Sequence, residues 1–114
     1  MKKLNNDNTT AFDVDQTLIK WLSKYDCGMM ELEYGEETVM LDPHYSHIRF
    51  LKHCKQRGDF IIVWSQNGVE WAEKVVKALD LEKYVDVVMA KPTRHVDDKE
   101  DVASIVGNRI FIKE

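Results

Sequence analysis

Apolar and polar positions alternate along this chain in short blocks. Thr10-Ala-Phe-Asp-Val-Asp15 reads as a brief buried strand that ends in acids. Met30-Glu-Leu-Glu-Tyr34 and Glu37-Thr-Val-Met-Leu41 flank Gly35-Glu36, which predicts a hairpin with glycine at the first position of a type II′ turn. Asp42-Pro43 has the form of a helix cap followed by a first-turn proline. Tyr45, Ile48, Leu51 and Cys54 then recur at helical spacing, and Gly58 closes that helix. Phe60-Ile-Ile-Val-Trp64 predicts a fully apolar strand, and Ala72, Val75, Val76 and Leu79 the buried stripe of a second helix. Val85 to Ala90 predicts a third core strand, and Arg94-His-Val96 a very short fourth. A short helix over 99–106 and a strand over 109–112 finish the pattern. Apolar strands alternating with amphipathic helices imply an α/β fold, a three-layer Rossmann-like sandwich with a central parallel sheet covered on both faces. The hairpin is then a small flap, and no cap domain is expected between Thr17 and Asp42. In such sheets the site lies at the carboxyl ends of the strands, near the point where strand order reverses.

Composition narrows the function classes. The 114 residues suit one domain, and 44% apolar with 32% charged residues is an ordinary globular balance. A net charge of −4 gives no chain-wide attraction to nucleic acid or anionic lipid. The longest apolar run, Phe60 to Trp64, is far too short to span a membrane. Lys2 and Lys3 lead into asparagine and aspartate rather than an apolar stretch, so no signal peptide is expected. Cys27 and Cys54 form no C-x-x-C pair and read as free thiols of a reducing, cytoplasmic compartment.

The chemistry gathers at the strand ends. Asp13, Asp15 and Thr17 follow the first strand, Ser65 the second and Lys91 the third, with Asp97 and Asp98 after the short fourth segment. Each type suits one part of phosphoryl transfer. A carboxylate can act as nucleophile, and a second can serve as general acid and base. Carboxylate oxygens suit Mg²⁺. A hydroxyl and an ammonium can hold the phosphoryl oxygens as charge moves onto them.

Phe12-Asp13-Val-Asp15-Gln-Thr17-Leu18 resembles the D-x-D-x-T-L motif of the haloacid dehalogenase superfamily of phosphohydrolases. Ile61 to Ser65, Ala90-Lys91-Pro92 and Val96-Asp97-Asp98 look like its second, third and fourth motifs, in the right order. The resemblance covers about Ala11 to Val106 and is to a small, cap-less type. It implies Asp13 as nucleophile and Mg²⁺ ligand, and Asp15 as acid/base with its main-chain carbonyl also on the metal. It implies Ser65 and Lys91 as phosphoryl-binding residues, with Thr17, Gln66 and Asn67 beside them as substrate-binding residues. Lys91 would also steady Asp13, and Thr17 would brace the loop. Asp97 or Asp98 would complete the metal site, and Asp101 also matches a spacing variant of the fourth motif. Position 16 is Gln where the family more often has Gly, and the interval from Lys91 to Asp97 leaves no room for the usual helix.

The implied activity is a Mg²⁺-dependent phosphatase working through an aspartyl-phosphate. An open site of this kind goes with a large or exposed phosphate, such as a nucleic-acid end or a phosphoprotein. A catalytically weak phosphate- or partner-binding module on the same fold is the alternative. A receiver-like regulatory domain is disfavoured, because its acidic pair is adjacent and its phosphorylated Asp follows the third strand. Three further groups read as structure. Asp42, His44, His47 and His53 lack zinc-site geometry and suit an exposed helix face. Trp64 and Trp71 suit packing in or beside the core. Lys52, Lys55, Arg57, Lys74 and Lys77 suit solvated helix faces.

Overall fold

A computed structural model of the chain describes residues 8–23, 27–96 and 98. These residues form two small sheets and two helices, an α/β unit. Strand β1 (Thr9–Asp13) is followed by β2 (Ile19–Trp21), β3 (Met30–Tyr34) and β4 (Glu37–Pro43). Helix α1 (Tyr45–Gln56), β5 (Phe60–Ser65), α2 (Val69–Ala78), a 3-10 turn (Glu82–Tyr84) and β6 (Val87–Ala90) follow. One sheet is parallel, in the order β1-β5-β6; the other is antiparallel, in the order β2-β4-β3.

The parallel sheet forms where the apolar runs lie. Thr10 pairs with Ile61 and Phe12 with Val63, so these residues share one face. Ile61, Val63 and Ser65 are fully buried there, while Ile62 and Trp64 on the opposite face are half-buried. Ile48, Leu51 and Cys54 of α1 and Trp71, Ala72, Val75 and Val76 of α2 join Phe12, Ile61 and Val63 in a single core cluster. One covered face is thus described; the helix expected over 99–106 and the strand over 109–112 lie outside the described residues. Arg94-His-Val96 forms no strand, and Val96 is almost wholly exposed, which corrects the expected fourth segment. Residues Val85 and Asp86 precede β6 instead of opening it.

The hairpin is present, with Gly35 at φ +63 as a primed turn needs, but it is not a separate flap. Strand β2 pairs antiparallel with β4, Ile19 opposite Pro43 and Trp21 opposite Leu41. Because β4 runs through Pro43, α1 starts only at Tyr45, later than the Asp42-Pro43 signal suggests. Asp42 accepts a hydrogen bond from the Met29 N–H at 2.9 Å instead of capping the helix. Tyr45 is exposed, not part of the buried stripe. His44 is buried and stacks on His47 with ring centroids 3.7 Å apart, so this pair is not a solvated face. Cys27 and Cys54 are both free thiols, Cys27 exposed and Cys54 buried; burial pushes the Cys54 thiol up.

The amino end of the parallel sheet is closed by Asp59. Its side chain is 2% exposed and accepts bonds from Arg57 Nε and Nη2, the closest at 2.9 Å, and from the Thr10 hydroxyl at 3.3 Å. The Arg57 hydrogen bonds hold the Asp59 carboxyl below its usual range despite the opposing effect of burial. The folded state therefore prefers the ionised group more than the unfolded state does. That stabilisation is present above the ordinary value near 3.8 and is lost as pH falls through the lower folded value. Asp59→Asn should lower Tm at neutral pH by about 5 °C, the shift that about 1 kcal/mol gives in so small a domain. The gap to the parent protein should close in melts taken progressively below that value. A gap constant with pH would show that shape, not charge, holds this corner.

Candidate functional site

Three parallel strands deliver their carboxyl ends side by side. Asp13, the last residue of β1, pairs in register with Trp64 of β5, and Ser65 pairs with Ala90 of β6. Lys91 follows β6 directly, and its N–H donates to the Ser65 carbonyl at 2.9 Å. Its Nζ lies 4.0 Å from Oδ1 of Asp13, with both side chains about one third exposed. Sequence reading and structure thus agree that Asp13, Ser65 and Lys91 stand at one sheet edge. Burial pushes the Asp13 carboxyl up; Lys91 and the Val14 N–H pull it the other way, and Asp15 adds to the rise.

The loop after β1 turns back sharply. The Thr17, Leu18 and Ile19 N–H groups all point to the Val14 carbonyl, and Gln16 takes the left-handed conformation at φ 61. That backbone region favours glycine, so Gln16 holds a conformation that a side chain rarely adopts. The Thr17 carbonyl accepts a bond from His47 Nδ1 at 2.6 Å; a carbonyl only accepts, so the proton on this contact belongs to the ring. The Thr17 main chain thus ties this loop to α1.

Asp15 is held by four donors from four places in the chain. Its Oδ1 accepts from the indole N–H groups of Trp21 at 2.7 Å and Trp71 at 2.9 Å. Its Oδ2 accepts from the Ser65 hydroxyl at 3.1 Å and the Asn67 amide at 2.9 Å. Ser65, fully buried, also accepts from the Asn67 N–H at 3.0 Å. In this structure the Ser65 hydroxyl thus faces Asp15, and Asn67 is a partner of the acid as well as an exposed group. Gln66 is exposed beside them. The Tyr34 hydroxyl donates to Oδ1 of Asn67 at 2.9 Å, and Lys74 Nζ donates to the Glu33 carbonyl at 2.9 Å. These two bonds fasten the antiparallel sheet to the middle of α2 and the loop after β5.

Trp21, Trp71 and Tyr34 were not among the expected site residues. The strand β2 that carries Trp21 is only three residues long, too short for a periodicity to mark it. Trp71 sits in the first turn of α2, close in sequence to Ser65 and Asn67, and that closeness was the available signal.

Of the expected metal ligands, Asp13 and Asp15 are together and Asp98 is exposed; Asp97 and Asp101 lie outside the described residues. Among the described residues no three His, Cys, Asp or Glu side chains form a metal cluster. The donors at hand are hard oxygens, and Mg²⁺ commonly takes one or two protein carboxylates, keeping waters for the rest. The residues present therefore fit Mg²⁺. Two cavities of about 240 and 340 Å³ lie elsewhere, and neither is lined by Asp13, Asp15, Ser65 or Lys91. Among the described residues, Asp13 and Lys91 are each about one third exposed, while Ser65 is fully buried. Among the described residues no helix is long and apolar enough to cross a membrane. Comparison with models of protein families, with curated proteins and with solved structures returned no match.

Proposed function

We propose that this protein is a Mg²⁺-dependent phosphomonoester hydrolase of the haloacid dehalogenase type, built on a three-layer Rossmann-like core and acting in the cytoplasm. The observation that carries the reading is the approach of Lys91 to Asp13 at 4.0 Å across the ends of a parallel sheet, with Asp15 two residues on. Asp13 attacks phosphorus and is transiently phosphorylated, while Asp15 handles the proton of the leaving alcohol and then of the attacking water. Lys91 neutralises the phosphoryl oxygens. Asp13, the Asp15 carbonyl and an acid from 97–98 would hold Mg²⁺, which would supply charge neutralisation to the phosphoryl group. The partial exposure of Asp13 and Lys91 suits a phosphate on a large partner, a nucleic-acid end or a phosphoprotein, which brings its own cover.

The test is phosphate release from p-nitrophenyl phosphate and from a 5′-phosphorylated oligonucleotide, a phosphopeptide and free mononucleotides. Activity with Mg²⁺ should fall about a hundredfold or more in EDTA. The large substrates should give higher kcat/KM than mononucleotides. EDTA-resistant turnover would displace the metal, and a strong preference for a small metabolite would displace the open-site argument. A second reading, a phosphate-binding module without turnover, is favoured by the Ser65 hydroxyl facing Asp15 rather than solvent. Saturable phosphate binding with no release of product would select it.

A further inference from the structure

The two indoles that meet on Asp15 give its oxygens different tasks. An indole N–H is a donor and nothing else. Two of them converge on Oδ1, from Trp21 of β2 at 2.7 Å and from Trp71 of α2 at 2.9 Å. A proton on Oδ1 would face both of those hydrogens, so this oxygen stays an acceptor. The partners of Oδ2 can yield. A hydroxyl such as that of Ser65 rotates and both donates and accepts, and the Asn67 amide is an exposed side chain. The indoles are themselves locked. Trp71 is 5% exposed, the two tryptophan rings lie 5.6 Å apart, and Tyr34 sits edge-on to both, at 5.1 and 5.0 Å.

We propose that Trp21 and Trp71 are positioning residues that reserve Oδ1 of Asp15, leaving Oδ2 as the oxygen that exchanges the proton during phosphoryl transfer. The proposal rests on the phosphatase reading above. In the first step an oxygen of Asp13 bonds to phosphorus, the bond from phosphorus to the leaving oxygen breaks, and the proton on Oδ2 goes to that oxygen. In the second, water bonds to phosphorus and gives its proton to Oδ2, and the bond between phosphorus and Asp13 breaks. Inorganic phosphate leaves, and both carboxyl groups return to their starting states.

A poorly aimed acid matters only when the leaving oxygen needs a proton. An alkoxide does; p-nitrophenolate departs without one. The ratio kcat/KM includes no step after the alcohol has left, so it isolates the acid role. Trp21→Phe and Trp71→Phe keep an aromatic ring and lose the N–H. Each should cut kcat/KM on a 5′-phosphorylated oligonucleotide about 30-fold, within the range for general acid catalysis. On p-nitrophenyl phosphate each should stay within about threefold of the parent protein. Equal losses on both esters, or none on either, would overturn the proposal. If Trp71→Phe melts below the assay temperature, replacing that indole by benzothienylalanine, which puts sulfur in place of N–H, carries the same expectation. The two failures separate cleanly. A parent protein without Asp13-dependent hydrolysis removes the phosphatase reading and this proposal with it. Asp13-dependent hydrolysis with unchanged ester selectivity in the variants removes this proposal alone.

Discussion

Asp13→Asn is expected to lower phosphatase turnover by about 10⁴-fold or more while leaving the protein folded. An amide nitrogen or oxygen cannot take the place of a carboxylate as nucleophile, so the covalent route closes rather than slows. Folding should survive because of where Asp13 stands. It ends β1, its side chain is about one third exposed, and its ion pair with Lys91 is at the outer limit of such contacts. Burial works against the Asp13 charge, so a neutral isostere relieves that cost instead of adding one. The measurement is a paired one: steady-state phosphate release and a thermal melt on the same preparation. Unchanged Tm with activity lost supports the nucleophile. Near-parent turnover by pure Asp13→Asn would remove Asp13 from that role.

How much of this was readable in advance depends on whether a feature is carried by neighbours in sequence or by distant residues. The apolar runs 60–64 and 85–90 and the stripe through Ile48, Leu51 and Cys54 are local periodicities, and β5, β6 and α1 follow them closely. The convergence of Asp13, Ser65 and Lys91 followed from one rule, that parallel strands bring their carboxyl ends to one edge. Asp42-Pro43 misled because local helix-start chemistry met a stronger demand. Pairing with β2 extends β4 through Pro43, and Asp42 is taken by the Met29 N–H. The His44–His47 stack was also read wrongly, because burial of His44 depends on the loop after β1, which returns over it through the bond from the His44 N–H to the Leu18 carbonyl. The four donors on Asp15 come from residues 6, 50, 52 and 56 positions away. No pattern of spacing encodes such a meeting; it is made by two sheets closing on one carboxylate.

Lys91→Met should cost about 10³-fold in kcat/KM, and the size of that loss decides between two roles for the lysine. As a structural partner Lys91 is worth little. Its Nζ is 4.0 Å from Asp13 with both groups partly in solvent, and exposed pairs of that kind contribute at most about 1 kcal/mol. If the pair were all there is, the variant would melt slightly earlier and turn over almost normally. As a phosphoryl-binding group it is worth far more. A fixed cation aimed at oxygens that gain charge in the transition state contributes about 10²- to 10³-fold or more. The chain places it well for that, since the Lys91 N–H is tied to the Ser65 carbonyl and the side chain leaves from the end of β6 toward Asp13. Methionine keeps the length of the stem and removes the charge. KM for a phosphate dianion should rise and kcat should fall together, because the same ammonium meets the phosphoryl oxygens before and during transfer. Lys91→Arg should recover part of the loss, as a charge is restored with a different shape. A variant that loses a few degrees of Tm and no activity would assign Lys91 to the fold alone, and the phosphoryl group would then have to be met by another cation of this surface.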